Sequence, residues 1–360
     1  MPEPLRNMFH EESLHKTALA IREIYPSFQV DKFLKLTMDE TWDELQLKAR
    51  CRKISTSLGA LLPGEYEKAL GILEKAVSGL SYAYFFPDFI EVYGVEEKNW
   101  ELSIKALERT TKYWSAEFAV RAFLIKDEKR MMAQMYDWSK HENEHVRRLA
   151  SEGCRPQLPW GQTLISFKKD PSPILPILEQ LKNDPSLYVR KSVANNLNDI
   201  SKTHPELVLS IAKKWYGVSD NTDWIIRQGC RTLLKKGNRD VMELFNLDDT
   251  ASVKLLEFSL NAASVTIGDS FTFTLTILAE KETKARLEYG IDFVKSNGKR
   301  MRKRFKISEI SLKENEKKSY EKKHSFADLS TRKHYPGIHS IAIIANGTEL
   351  GKLEFSLEKA

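Results

Sequence analysis

The chain of 360 residues is short of cysteine and of long apolar runs. Its three cysteines, Cys51, Cys154 and Cys230, are odd in number, far apart and not spaced like zinc ligands. We therefore expect buried or idle thiols in a reducing compartment rather than a disulfide framework. No run of about 18 apolar residues occurs, which argues against a membrane-spanning helix.

Signals for a metal, a cofactor or secretion are also missing. The eight histidines are scattered without ligand spacing, and no cofactor fingerprint is found. Residues 1–13 are polar and acidic and lack the apolar stretch of a signal peptide. With a mean hydropathy of −0.44, the sequence predicts a soluble cytoplasmic protein that uses neither a metal nor a cofactor.

The net charge of +6 is unevenly distributed along the chain. Residues 1–100 carry four more acidic than basic side chains, and residues 101–250 carry four more basic than acidic ones. Residues 251–360 carry an excess of six basic side chains. This distribution suits a polyanionic partner for the second two-thirds of the chain.

Two periodicities divide the sequence. Up to about residue 247, apolar residues recur at intervals of three and four, which predicts helices. From about residue 253, segments such as FTFTLTIL and KLEFSL alternate, and Asn297-Gly298 and Asn346-Gly347 are hairpin signals. We predict an α-helical domain over 1–247, a linker near 246–252, and a β-sandwich of about seven strands, plausibly immunoglobulin-like, over 253–360.

The helical part contains a repeat. EHVRRLASEG (144–153), LYVRKSVANNL (187–197) and DWIIRQGCRTLL (223–234) share an apolar residue followed by arginine and then small residues, and EFAVRAFLI (117–125) is a weaker copy. Helix-pair repeats of the HEAT type have this pattern and stack into a solenoid with a concave face. The sequence therefore predicts a HEAT-like solenoid followed by a β-sandwich.

Basic side chains recur in these repeats. Arg147, Arg190 and Arg227 occupy equivalent places, where they either contact a partner or hold neighbouring repeats together. The remaining polar faces are expected to present Arg148, Arg155, Lys191, Arg231, Lys235 and Lys236, with the carboxylates of Glu152 and Asp199 among them. Such a surface can follow a phosphate backbone, and the alternative is a solvated face with local pairs.

Three stretches carry a family resemblance. VRRLASEGCRPQLPWG (146–161), VRKSVANNLNDISK (189–202) and WIIRQGCRTLLKKG (224–237) resemble the AlkC branch of the AlkC/AlkD alkylpurine DNA glycosylases, which are HEAT-like repeat enzymes of base excision repair. The resemblance covers roughly residues 5–247, and a C-terminal immunoglobulin-like domain found in some AlkC proteins matches the β-rich tail. RPxLPWG is its most specific motif.

The resemblance implies an activity and a set of residues. It implies hydrolysis of the N-glycosidic bond of cationic 3-methyladenine and 3-methylcytosine in double-stranded DNA, without deep base flipping. The implied catalytic residues are Glu152, Asp199, Glu117 and Trp160, and Glu117 has the least motif-like surroundings. No lysine stands in a Schiff-base position, so we expect a monofunctional enzyme that leaves an abasic site. We also expect a monomer that associates with the nucleoid.

A basic segment marks the β-rich part. KSNGKRMRKRFK (295–306) surrounds a predicted hairpin tip, and its basic side chains fall on both faces of the strand. The candidates for DNA contact are Lys299, Arg300, Arg302, Lys303 and Arg304. The alternative is a charged edge strand that avoids aggregation.

A second function class stays open. The chain could be a non-catalytic HEAT scaffold that binds nucleic acid or protein. Glu152 could then pair with Arg148 one helical turn away, Asp199 could cap a turn, and Trp160 could lie in the core. A scaffold has no need, however, for carboxylates embedded in a basic groove beside a tryptophan bracketed by proline.

Overall fold

The computed structural model describes residues 5–328 and 332–359. The chain forms two compact units, one of Met1–His204 with Lys214–Gly229 and one of Pro205–Lys213 with Cys230–Ala360. We call them the helical unit and the sandwich unit. Among the helices in the described ranges, none has both the length and the apolar character that a membrane span requires.

Within the described residues, sixteen α-helices precede the first strand. They are α1 Glu11–Ile24, α2 Val30–Thr37, α3 Leu47–Gly59, α4 Tyr66–Val77, α5 Phe85–Tyr93, α6 Trp100–Thr110, α7 Val120–Lys126, α8 Glu128–Trp138, α9 Glu144–Gly153, α10 Ile165–Lys169, α11 Leu175–Leu181, α12 Leu187–Ile200, α13 Pro205–Trp215, α14 Asp220–Gly229, α15 Arg231–Lys236 and α16 Arg239–Leu244.

The repeated segments form neighbouring helices, since α9 packs against α12 and α12 packs against α14. The predicted stripe of α12 is buried, with Val189, Val193, Leu197 and Ile200 each at most 1% exposed. Asn196 donates from its side-chain amide to the carbonyl oxygen of residue 151 at 2.9 Å, which ties α12 to α9. The repeats therefore stack through an apolar stripe and a few buried hydrogen bonds.

The strands form two sheets. They are β1 Val253–Leu260, β2 Ser264–Thr266, β3 Ser270–Ala279, β4 Thr283–Val294, β5 Arg300–Leu312, β6 Lys317–Ser325, β7 Gly337–Ala345 and β8 Thr348–Glu358. One sheet has the order β1-β3-β6 and the other the order β2-β8-β7-β4-β5. Neighbouring strands are antiparallel, except that β2 is parallel to β8. The fold class, helices followed by an immunoglobulin-like β-sandwich, is confirmed.

Both predicted hairpins are present. Asn346 and Gly347 join β7 to β8 with φ of 45° and 81°, a left-handed pair that asparagine and glycine accept readily. Gly298, with φ of 74°, lies in the turn between β4 and β5. This turn leaves β5, with its basic residues, at the edge of the five-stranded sheet.

The segment expected to be a linker is built into the sandwich unit. Leu247 is fully buried, and the Asn346 side chain donates to the carbonyl oxygen of Asp249 at 2.7 Å. Helices give way to strands between Leu244 and Val253. Because the two compact units divide the chain elsewhere, the domain bounds 1–247 and 253–360 stay a prediction.

Candidate active site

Helix α9 brings two of the predicted residues together. Its first turn is capped by Asn143, whose side-chain oxygen accepts from the backbone N–H of His145. Arg148 and Glu152 lie one turn apart on the same face, with Nη2 and Oε1 3.5 Å apart. Since a carboxylate is unfavourable at a helix C-terminus, Glu152 needs cationic partners, and Arg148 is the first of them.

Five side chains alternate in charge and form what we call the ion-pair chain: Glu117, Arg148, Glu152, Arg155 and Asp199. Arg148 pairs with Glu117 as well as with Glu152. Arg155 donates from Nη1 to Glu152 at 2.6 Å and from Nε to Asp199 at 2.8 Å. All three predicted carboxylates therefore belong to one connected cluster.

Three members of the ion-pair chain are buried, and Glu117 and Arg148 are partly exposed. Glu152 is 4% exposed, Asp199 2% and Arg155 6%. Burial lowers the pKa of Arg155, but the carboxylates of Glu152 and Asp199 outweigh burial, so that this pKa is raised overall. A buried ionic cluster contributes little net stability, because the loss of hydration offsets the attraction. This chain of charges therefore points to a role other than stabilising the fold.

The ion-pair chain taken alone has three carboxylates and two guanidinium groups, a formal charge of −1. Lys202 donates to Asp199 at 2.7 Å with a side chain that is 38% exposed. Arg121, which is 1% exposed, is a further cation that interacts electrostatically with Asp199 and Glu117. With these two cations counted, the cluster has no excess of negative charge.

Trp160 is not a core residue. It is 75% exposed, and its φ of 61° is unusual for a bulky side chain. Lys48 donates to its carbonyl oxygen at 3.3 Å, and Gly161 follows it directly in the turn. Strained backbone that holds an exposed aromatic ring is typical of a functional site.

A cavity of about 330 Å³ links these residues. Glu117, Glu152, Arg155 and Trp160 line one part of it. Asp199 is not among the described residues that line the cavity, because its carboxylate faces Arg155. The structure therefore brings Glu117, Glu152 and Trp160 to an accessible space and keeps Asp199 behind them.

Two further acidic residues that line the cavity are not among the predicted site residues. They are Asp88 and Glu91 on α5, and both pair with Arg52. Burial raises the pKa of Glu91. The signal in the sequence was PDFIE (87–91), a pair of acidic residues inside an otherwise apolar segment, and sequence alone did not show that α5 faces the cavity.

The arginines that recur in the repeats hold protein groups. Arg147 pairs with Asp184 at 2.6 Å, and Arg190 donates to the carbonyl oxygens of Asp184 and Pro185. Arg227 donates to the Tyr216 hydroxyl at 3.0 Å. Arg147 therefore joins its repeat to the next through Asp184, whereas Arg190 and Arg227 contact groups in the turn before their own helix, and contact of the three with DNA stays a prediction.

The basic surface expected of the helical repeats is smaller than predicted. Arg148 and Arg155 lie inside the ion-pair chain rather than on an open face, because buried carboxylates bind them. Arg231 is half-buried. Lys191, Lys235 and Lys236 are exposed, and their contact with DNA stays a prediction.

Two of the basic residues of β5 are paired on the sheet surface. Arg300 contacts Glu354 at 3.0 Å, and Arg302 donates to both oxygens of Asp292, at 2.7 and 2.9 Å. Both arginines are therefore partly neutralised by acidic neighbours.

The other residues of this segment are less neutralised. Lys299 and Lys303 are exposed, and Arg304 is half-buried. Burial and the nearby charges of Arg332 and Lys235 lower the pKa of Lys303. Crowded cations of this kind attract an anion, and DNA contact by these residues stays a prediction.

Comparisons with known proteins place this site in a family. Residues 88–233 match the family model of the DNA alkylation repair enzymes, and residues 254–359 match the C-terminal Ig-like domain of the uncharacterised protein YhaZ. The chain is 48% identical over 359 residues to the uncharacterized protein YhaZ of Bacillus subtilis (strain 168), with 98% of this chain and 99% of that protein aligned.

A solved structure is similar over both compact units. It is that of the Pseudomonas fluorescens alkylpurine DNA glycosylase AlkC bound to DNA containing an abasic site analog. The two chains share 38% identity with a TM-score of 0.93, over 99% of this chain and 100% of the other. The chain therefore belongs to the AlkC-type branch of the DNA alkylation repair enzyme family.

Proposed function

We propose that this protein is a monofunctional DNA glycosylase that acts on cationic alkylated bases, 3-methylcytosine and 3-methyladenine, in double-stranded DNA. It hydrolyses the N-glycosidic bond, leaves an abasic site, and works as a monomer in the cytoplasm. The observation that carries the proposal is the ion-pair chain, in which two arginines join three carboxylates, beside a cavity and an exposed tryptophan.

The charge of the site suits the reaction. A base methylated at N3 is a cation, so the bond to the sugar breaks with its electron pair going to the base, which departs neutral. Positive charge then develops on the deoxyribose, where a buried carboxylate stabilises it strongly. Glu152 supplies this carboxylate, since it lines the cavity and is fixed by two arginines.

The other residues support this step. A water oxygen bonds to the sugar carbon, and Glu152 or Glu117 accepts the proton that the water loses. The Trp160 ring offers a π face to the cationic base. Asp199 adds negative charge from behind Arg155.

The similarity to a glycosylase that was solved with abasic-site DNA supports the proposal at the level of the whole chain. The exposed lysines Lys191, Lys235, Lys236 and Lys299 supply positive charge for the DNA backbone. A non-catalytic scaffold remains the competing function, and it predicts DNA binding without product.

The test is incubation with a duplex oligonucleotide carrying one 3-methylcytosine, followed by alkaline cleavage. We expect a strand break at the lesion, release of the free methylated base, and no break without alkali. Glu152→Gln should bind the same duplex but release base at least about 100-fold more slowly. Binding with no release by the wild type would identify a scaffold instead.

A further inference from the structure

Arg121 on α7 is a buried arginine whose side-chain hydrogen bonds, within the described part of the chain, all go to backbone carbonyl oxygens. It is 1% exposed. Its guanidinium donates to the carbonyl oxygens of Gly153 at 2.8 Å, Arg155 at 2.9 Å and Gln162 at 2.7 Å. Burial lowers the pKa of Arg121 to about 10. Three backbone acceptors in one short segment, residues 153–162, account for all of these bonds.

The hydrogen-bond partners of Arg121 differ from those of Arg147 and Arg190, which occupy the same place in later repeats. Val120-Arg121 matches Val146-Arg147 in the repeat pattern. Arg147 and Arg190 each donate to two carbonyl oxygens of the turn that precedes their own helix, at positions five and six residues earlier. Arg121 instead reaches a segment 32 to 41 residues later in the chain. Arg121 therefore holds a later segment of the chain, where Arg147 and Arg190 hold the turn before their own helix.

The segment that Arg121 holds carries two residues of the site. It contains Arg155, which joins Glu152 to Asp199, and Trp160 in its left-handed conformation. A side chain at Gly161 would come within 3.3 Å of the Arg121 Nε atom, so the turn is packed directly on the guanidinium. Arg121 thus supports both the ion-pair chain and the tryptophan from behind.

We propose that Arg121 is a positioning residue for the reaction, which holds residues 153–162 so that Trp160 and Arg155 face the cavity in the required geometry. This inference rests on the proposed glycosylase function for its kinetic part. The planar guanidinium of Arg121 has five N–H donors and can bond several carbonyl oxygens that point in different directions. The single ammonium group of lysine cannot bond all of them at once. A supporting contact of this kind acts on rate because small displacements of reacting groups slow catalysis strongly.

The first test reads the geometry without DNA. The protein is prepared with 5-fluorotryptophan, and the fluorine resonance of Trp160 is assigned with Trp160→Phe. We expect Arg121→Met to shift or broaden this resonance. The matched control is Arg50→Met, because Arg50 is also buried and also donates to backbone carbonyl oxygens, those of Arg6 and Phe9, and it does not line the cavity.

The second test is kinetic. For Arg121→Met we expect kcat on the 3-methylcytosine duplex to fall at least about tenfold, with a change in KM below about threefold. Arg50→Met should lose thermal stability but keep kcat. Should Arg121→Met not fold, Arg121→Lys replaces it, and the same shift of the Trp160 resonance is expected.

Two outcomes would overturn the proposal. One is a Trp160 resonance in the Arg121 variant that matches the wild type. The other is a shifted resonance with a kcat equal to that of Arg50→Met. Because the resonance is recorded in the free protein, an inactive wild type would count against the proposed function while the positioning role is still measured.

Discussion

Both compact units bury an ion pair, that of Arg286 with Glu288 at 2.8 Å in the sandwich unit, but they differ in their other buried ionisable groups. In the helical unit, the buried carboxylates Glu152 and Asp199 are paired with Arg155 in one connected chain. In the sandwich unit, His324 and His339 are buried among aromatic rings, and burial lowers the pKa of each. Both have a ring nitrogen without a hydrogen-bond partner among the described residues.

A buried ion pair is therefore not by itself evidence of a function. Paired ions cost hydration free energy that apolar residues of similar size would not. The ion-pair chain differs from the Arg286–Glu288 pair because three of its members, Glu117, Glu152 and Arg155, line a cavity. The proposed catalysis gives a reason for charges at this place, and the following predictions test the contrast.

The largest effect is expected from breaking the ion-pair chain in its middle. Arg155→Met leaves the carboxylates of Glu152 and Asp199 buried without their shared cation. Removing one partner of a buried pair should lower the free energy of unfolding by about 3–5 kcal/mol. Urea denaturation measures this change, and a loss below about 1 kcal/mol would show that the cluster is open to water.

The sandwich unit should respond to acid. Burial lowers the pKa of His324 from 6.5 to about 4. As the pH falls from about 6.5 to about 4, the unfolded chain binds a proton that the folded chain does not, so stability is lost over this range by about 3 kcal/mol. Denaturation at pH 7 and pH 4.5, followed by circular dichroism, should show the loss.

His324→Gln is the control for this effect, because glutamine can keep a hydrogen bond to the Tyr289 hydroxyl, which lies 3.0 Å from the His324 ring nitrogen. The variant should have a flatter dependence on pH. An equally steep dependence would assign the acid sensitivity to other groups.

A smaller effect is expected at Trp160. Trp160→Ala removes a cation–π contact worth roughly 0.5–2 kcal/mol, so the rate of base release should fall by about 2- to 30-fold. Since the side chain is 75% exposed, the thermal stability should be unchanged. Trp160→Phe, which keeps an aromatic face, should recover part of the rate, and a large loss of stability in Trp160→Ala would instead place the ring in the core.

The smallest effect concerns the basic strand β5. Replacing Lys299 and Lys303 with serine should weaken DNA binding and reduce the slope of log Kd against log salt by about 1 for each lost phosphate contact. The matched control is the double replacement of Lys317 and Lys318, which are exposed on β6 of the other sheet. An unchanged slope would mean that β5 is only a protected edge.

Much of the fold could be predicted from the sequence because periodicity reports burial directly. The repeats and both hairpins follow from local patterns, and the edge position of β5 agrees with the alternative interpretation of its basic residues. The joining of residues 246–252 to the sandwich unit could not be predicted, since it depends on the distant side chain of Asn346.

The candidate site was predictable only in part. Glu117, Glu152 and Asp199 were identified through a family motif, and the structure connects them through Arg148 and Arg155. The sequence predicts that both arginines lie on an open DNA-binding face. This differs from the structure because a sequence shows that a side chain is charged but not which distant carboxylate contacts it. For the same reason the contacts of Arg121 could not be predicted, since its acceptors are backbone atoms of a distant segment.

The most direct measurement compares two buried aspartates that are both paired with arginine. Asp199 belongs to the ion-pair chain, and Asp184 pairs with Arg147 between repeats, with side-chain exposures of 2% and 4%. Under single-turnover conditions on a 3-methylcytosine duplex, Asp199→Asn should release base at least about 100-fold more slowly than the wild type, and Asp184→Asn within about threefold of it. Equal rates for the two variants would contradict the claim that the ion-pair chain stabilises the positive charge that develops on the deoxyribose.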